Sequence, residues 1–333
     1  MDWKHARKNR IIVLVAGGGL LLCLLLFALL QGSLSGKGIE SLQEGKGKPT
    51  VAVVLKALDS EHWERIKKGA ERAAREYGAD LVVMAPDKES NVAMQFAMVQ
   101  DLLKEDIDAL CIAPCDSEGI LPLVTRAKLQ GIPVFTIDTN AYDERNIQAF
   151  IGTDNYKAGI LAGERMREVL PEDGKVAVMT GLLTQQTHGE RLRGFRKAME
   201  GSGLEMALVL GGKSESDTAY RATKEFLREG ESVDGIFVTN ALMAIGVLEA
   251  LKEEGMTGQI RVIGFDDQKA MLLAVGEGHM DSTITQDPYA MGYLAVESSM
   301  RHLRGEALQK HIETPAGIVS LDNLEAYRET RKE

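Results

Sequence analysis

From Thr50 onward the chain alternates two patterns, and that alternation constrains the fold more than any other feature. Val51–Leu55, Leu81–Met84, Ala109–Ala113 and Val134–Ile137 are short β-branched or apolar runs, each followed by a longer stretch with helical apolar spacing. His62–Tyr77 places Trp63, Ile66, Ala70 and Ala73/Ala74 on one face and charges on the other, and Asn91–Lys104 follows the same plan. Strands apolar on both faces, joined by amphipathic crossovers, mean a parallel sheet covered by helices.

A second series begins after Asp154. Val176–Met179, Met206–Leu210, Gly235–Val238 and Arg261–Gly264 read as strands, and Gln186–Met199, Ala219–Arg228, Met243–Glu253 and Pro288–Arg304 as helices. The two halves resemble each other: each first strand leads through a polar loop into a helix carrying a mid-helix glycine, Gly69 in one and Gly194 in the other. The expected fold is α/β, two similar lobes, each a parallel sheet flanked by helices. Open parallel sheets bind ligands at the carboxyl ends of their strands, so a site between the lobes should be built from strand-end loops.

The amino terminus sets the compartment. Ile11 to Leu30 is an unbroken apolar and glycine run, long enough at about 1.5 Å per residue to cross a hydrocarbon core of about 30 Å. Lys4, Arg7, Lys8 and Arg10 precede it, which keeps residues 1–10 in the cytoplasm and sends the body across. A secretory signal is the rival reading, but the run is longer than a usual signal core and no convincing small-residue cleavage site follows Ala28. Residues 32–49, rich in Gly, Ser and Lys, read as a tether spanning roughly 20–25 Å. The formal charge is −10 despite that basic start, so the body is acidic enough to repel phosphate backbones, and no nucleic-acid partner is expected. With 44% hydrophobic and 26% charged residues the chain is neither disordered nor of low complexity. Three cysteines are too few for a disulfide framework.

The strand-end loops hold the polar residues, and with them a family resemblance. GAERAAREYGADLVV, DALCIAPCDSEGI, GIPVFTIDT, FIGTDNYKAGILAGE, GERLRGF, VTNALMAIGVLEAL, VIGFD and STITQDPYAMG occur in the order and spacing of the ribose-type periplasmic sugar-binding proteins. This region, about residues 50–305, resembles that type I family, whose fold is shared by the effector domains of LacI-like repressors. The resemblance implies a pocket in which Asp138, Arg191, Asn240, Asp266 and Gln286 hydrogen-bond the ligand. Such a set is chemically apt, since carboxylates accept hydroxyls and guanidinium and amide groups bridge neighbouring oxygens. His62 and Trp63 fall where the family places aromatic rings, which suit the C–H face of a pyranose. Phe265 is a candidate second wall, and Lys56, Ser60 and Thr139 complete the lining.

Departures from the pattern bear on the ligand. Lys56 stands where the ribose branch has a small hydroxyl, Thr139 where it has Arg, Ser214 near an expected aromatic, and Ala241 replaces a common Asp. Ribose therefore does not follow. Lys56, with Arg191, His62 and His188, gives the cleft a cationic cast and leaves two readings open: an anionic group on the ligand, or an ion pair between Lys56 and a cleft aspartate.

Each residue also has a plain structural reading. Asp138 and Asp266 could simply fix turns, Arg191 could be a solvated helix residue, and Trp63 could be core. His62 and His188 make no metal-ligand cluster and Cys111 and Cys115 lack a second pair, so neither metal nor cofactor is expected. Paired aspartates could hydrolyse a glycoside, yet no nucleophile elbow, phosphate loop or dinucleotide fingerprint is present, and the chain is read as no enzyme. A regulator would need a DNA-reading helix-turn-helix before residue 50, where the apolar run stands instead.

The resulting expectation is an extracytoplasmic solute-binding protein, its body a monomer, anchored by one pass in the cell membrane and closing by a hinge on a monosaccharide or related polyhydroxylated ligand. Its partner would be an ABC importer's permease or, alternatively, a sensor histidine kinase. The layout would be a basic tail over 1–10, an anchor or signal over 11–31, and a tether over 32–49. Lobe one would take 50–153 plus 287–308 and lobe two 154–286 plus 309–325, with a tail over 326–333.

Overall fold

A computed structural model describes residues 47–230 and 232–331. The basic tail, the expected anchor and nearly all of the tether lie outside the described residues. Among the described residues no helix is long and apolar enough to cross a membrane.

In chain order the first half runs β1 (Thr50–Val54), α1 (Glu61–Tyr77), β2 (Asp80–Met84), α2 (Val92–Leu102), β3 (Ala109–Ile112), α3 (Leu121–Leu129), β4 (Val134–Ile137) and β5 (Ala149–Gly152). The second continues through α4 (Asn155–Val169), β6 (Lys175–Thr180), α5 (Gln186–Met199), β7 (Glu205–Gly211), α6 (Ser216–Arg228), β8 (Gly235–Val238), α7 (Ala241–Glu253), β9 (Arg261–Phe265), α8 (Lys269–Gly276) and β10 (Ser282–Thr285). It closes with α9 (Pro288–Leu303), β11 (His311–Glu313), β12 (Gly317–Ser320) and α10 (Leu324–Thr330).

These strands form two six-stranded sheets of matching order, β11-β5-β4-β3-β1-β2 and β12-β10-β9-β8-β6-β7. All pairings are parallel except that of β12 with β10. Alternation along the central strands feeds a core on each face of each sheet. In β1, Val51 and Val53 pack with α1 and α9, while Ala52 and Val54 join the opposite core with α2 and α3. In β6, Ala177 and Met179 face one core and Val176 and Val178 the other. β2 and β7, at the ends of the two sheets, are partly exposed along their length.

The likeness of the halves extends to helix packing. A Cβ on Gly69 of α1 would stand 2.0 Å from the Tyr289 carbonyl oxygen of α9, and one on Gly194 of α5 would stand 2.0 Å from the Tyr156 carbonyl oxygen of α4. The facing glycines Gly292 and Gly159 are as tightly met, 1.8 Å from Ile66 O and 2.2 Å from Arg191 O. Backbone therefore touches backbone where each lobe's first helix crosses its partner, which only glycine permits.

The chain passes between sheets after β5, after β10 and between β11 and β12. The last crossing corrects the sequence-based boundary. The sequence reading places residues 311–313 in lobe two, but β11 pairs in parallel with β5, extending the first sheet. The run HIE carries too little apolar pattern to reveal that pairing. Helix α10 likewise continues to Thr330, past the expected lobe end at 325, with Leu324 buried in the second lobe's core.

Candidate functional site

Asp138 follows β4 and Asp266 follows β9, the equivalent strand of the other sheet. Both have left-handed backbones, φ 61° and 72°, and each backbone N–H donates to the next strand, Asp138 to Ile151 O at 2.9 Å and Asp266 to Ile284 O at 2.7 Å. Aspartate tolerates this conformation better than most residues, but the repeated departure marks positions where strand geometry is given up to aim a carboxylate into the cleft.

Between them lies a cavity of about 30 Å³ lined by both lobes: Lys56, Ser60, His62, Trp63, Glu89 and Asp138 from the first, and Thr187, His188, Arg191, Asn240, Ala241, Leu242, Asp266, Gln268 and Gln286 from the strand ends of the second. The space suffices for a water or two. The lobes are closed over it, through Lys56 Nζ to Gln185 Oε1 at 3.0 Å, Arg65 to Asp267 at 3.0 Å, Ser90 Oγ to Glu215 at 2.9 Å, and Ser117 N to Thr184 O at 2.9 Å. Admission of anything larger requires the lobes to part, and holding it requires them to close less tightly than here.

The polar groups form one connected chain. Lys56 Nζ is 3.5 Å from Asp138 Oδ1 and lies over the Trp63 ring, 5.4 Å from its centroid. His62 Nε2 is 3.1 Å from Asp138 Oδ2, and its Nδ1 is 3.6 Å from Asp266 Oδ1. Gln286 Nε2 donates to Asp266 Oδ1 at 2.7 Å. Arg191 donates to Asn155 Oδ1 at 2.9 Å and to Thr239 O at 2.6 Å, and its guanidinium lies 3.5 Å from the centroid of the Phe265 ring. Asn240 caps α7, its side chain accepting from Met243 N at 3.0 Å.

Burial works against every charge here, and the neighbours decide the outcome. Desolvation alone would raise Asp138, but Lys56, His62 and Arg191 hold its carboxyl far below the usual carboxylate range. Burial would lower His62, yet Asp266 and Asp138 outweigh it and raise the imidazole above its ordinary value. His188 has no carboxylate against it: burial, then Lys56 and Arg191, push it well down, and its ring nitrogens meet the hydroxyls of Thr239 at 2.9 Å and Ser214 at 3.0 Å. The cationic cast read from the sequence is thereby weakened, because burial and the neighbouring cations disfavour a charged His188 and Lys56 lies within ion-pair distance of Asp138, the second of the two readings left open.

Of the residues singled out in the sequence, Lys56, Ser60, His62, Trp63, Asp138, Arg191, Asn240, Asp266 and Gln286 line the cavity. Thr139 and Phe265 do not. Thr139 turns away, donating to Asp138 Oδ1 at 2.9 Å and bonding Thr187, and so positions the carboxylate. Phe265, fully buried, supplies no wall but the floor under Arg191. Glu89, Thr187 and Gln268 line the cavity without having been read from the sequence. Glu89 lies in the loop after β2, a strand-end loop like the others. Cys111 and Cys115 are buried, their thiols pushed up to about 12 chiefly by burial. Among the described residues no group of three or more His, Cys, Asp or Glu side chains could hold a metal ion.

Residues 51–307 match the sequence profile of the periplasmic binding protein domain. The chain is 27% identical over 285 residues to the D-ribose/D-allose-binding protein of Pseudomonas aeruginosa, covering 82% of this chain and 89% of that protein. It is 30% identical over 262 residues to the ribose import binding protein RbsB of Escherichia coli, covering 79% and 87%. Among solved structures, an ABC transporter solute-binding protein of Agrobacterium vitis with bound D-fucose superposes with a TM-score of 0.81 at 30% identity, covering 84% of this chain and 98% of that one.

Proposed function

The chain belongs to the type I periplasmic sugar-binding proteins, and from that premise we propose that it captures a neutral monosaccharide or related polyhydroxylated molecule by hinge closure and presents it to an ABC importer. The observation that carries this reading is the cavity at the strand ends of both lobes, closed by contacts that exist only when the lobes meet. A ligand that touches both lobes binds the closed state better than the open one and shifts the population toward it.

The electrostatics favour a neutral ligand. Lys56 and Arg191 face Glu89, Asp138 and Asp266, with the His62 imidazole between two of those carboxylates, so the lining carries no excess of positive charge for an anionic ligand to neutralise. Asp138, held ionised by three cationic neighbours, is suited to accept hydroxyl hydrogen bonds and poorly suited to donate a proton to a glycosidic oxygen. The relatives' names point the same way, toward ribose, allose and fucose as the class of ligand. Asp138, Arg191, Asn240, Asp266 and Gln286 would take the hydroxyls and Trp63 the apolar face. The apolar run over 11–31 supports a body held at the outer face of the membrane.

A thermal-shift screen of the full chain in detergent against D-ribose, D-allose, D-galactose, D-fucose, myo-inositol and D-gluconate tests the reading. One neutral compound should raise the melting temperature most and be recovered unchanged. A preference for gluconate, or conversion of the compound, would refute it.

A further inference from the structure

Glu89 is nine-tenths buried in the loop between β2 and α2, 8% exposed, and lines the cavity. Its Oε1 accepts from Trp63 Nε1 at 3.2 Å. Its Oε2 is buried and accepts no hydrogen bond among the described residues. The nearest cation, Lys56 Nζ, stands 3.9 Å away, beyond hydrogen-bonding length, and spends its short bond on Gln185. A carboxylate oxygen removed from water and left without a donor is costly, and it is tolerated where a binding partner completes it.

The loop ties Glu89 to closure. Ser90 donates to Glu215 of the second lobe at 2.9 Å, and Lys88 Nζ lies 4.0 Å from the same carboxylate. When the lobes meet, Glu89 is thus pinned beside Trp63 and Lys56.

We infer that Glu89 is a specificity-determining ligand contact: its Oε2 accepts a hydrogen bond from one hydroxyl of a neutral sugar stacked beside Trp63, selecting for a donor at that ring position. This rests on the sugar-capture reading above. A carboxylate offers acceptors only, so a ring position bearing hydrogen or fluorine, which cannot donate, leaves Oε2 unsatisfied. A site that hydrogen-bonds a hydroxyl rejects the analogue lacking it far more strongly than an apolar wall would.

The test measures affinity by calorimetry for the tightest-binding neutral sugar of the panel and for its monodeoxy and monodeoxyfluoro analogues, in wild type, Glu89→Gln and Glu89→Asp. Glu89→Gln should bind the parent sugar at least tenfold more weakly, with Glu89→Asp intermediate. Modification at one ring position should weaken wild type by a similar factor and Glu89→Gln hardly at all. The melting temperature without sugar should change little in Glu89→Gln, since an acceptor for Trp63 is kept and the oxygen replaced takes no hydrogen bond. Parent-sugar affinity within twofold of wild type in Glu89→Gln, while Asp138→Ala loses binding, would overturn the role of Glu89 and leave the sugar-capture reading standing. Losses that multiply independently at every ring position would overturn it too. Failure of wild type to bind any panel sugar would count against both.

Discussion

Asp138 and Asp266 close equivalent strands of two different lobes with the same left-handed backbone, and the single imidazole of His62 stands between them, 3.1 Å from one and 3.6 Å from the other. One side chain thereby couples the two halves of the site across the cleft. The expectations below follow from that coupling and from the packing that holds it.

If the two carboxylates take ligand hydroxyls, Asp138→Ala and Asp266→Ala should each weaken affinity by about 1.5–3 kcal/mol, the range for hydrogen bonds to charged groups. Titration calorimetry against the sugar that wins the thermal screen checks this, with circular dichroism to confirm the fold.

His62 makes closure pH-dependent, with a definite sign. Its folded-state pKa is raised, so its contribution is fully present below about pH 6.5 and is lost as pH rises through the higher folded value. His188 opposes it: its depressed pKa gives a contribution present above about pH 6.5 and lost as pH falls. Asp138 adds a constant across this range, because its contribution disappears only on falling through a folded value far below the usual one. The melting-temperature gap between wild type and His62→Gln should therefore be widest below about pH 6.5 and narrow as pH rises through the higher folded value. A gap that does not change with pH would contradict a protonated bridge.

Outside the cavity, Arg65 of α1 reaches Asp267 of the second lobe at 3.0 Å, and Tyr327 and Arg331 bond the same buried carboxylate. Arg65 is itself partly exposed, so the pair is screened and worth about 1 kcal/mol or less. Arg65→Ala should weaken every ligand by the same few-fold factor, through faster release measured by stopped flow, because it acts on closure and not on recognition.

The glycine crossings give a prediction about stability alone. Gly69→Ala and Gly194→Ala each drive a methyl onto a helix carbonyl 2.0 Å away, so each should cost about 1–3 kcal/mol or more in urea unfolding. The two lobes should respond alike, since the same crossing is used in each.

Much of this architecture is legible in the sequence because the central strands are buried on both faces and therefore spell continuous apolar runs. Val134–Ile137 and Gly235–Val238 are bounded in the sequence as they are in the structure. The short β5 and β11 escape notice, being three or four residues whose pairing is decided by distant neighbours. β10, Ser282–Thr285, carries three hydroxyl side chains yet is wholly buried, so its composition hides its place. Resemblance, not periodicity, brings Asp138, Arg191 and Asp266 together, and it misleads at Phe265, whose side chain lies beneath Arg191. Glu89 is invisible for a physical reason: one charged residue in a polar stretch between Lys88 and Ser90 looks solvated, and only the closed lobes bury it.

Calorimetric titration of the purified full chain with the neutral sugars of the panel, run beside Asp138→Ala, tests sugar capture at this cavity most directly. One sugar should bind at one site per chain, be recovered chemically unchanged, and lose at least tenfold in affinity in the variant, the equivalent of about 1.4 kcal/mol. Absence of binding by every sugar, or equal affinity in wild type and Asp138→Ala, would contradict it.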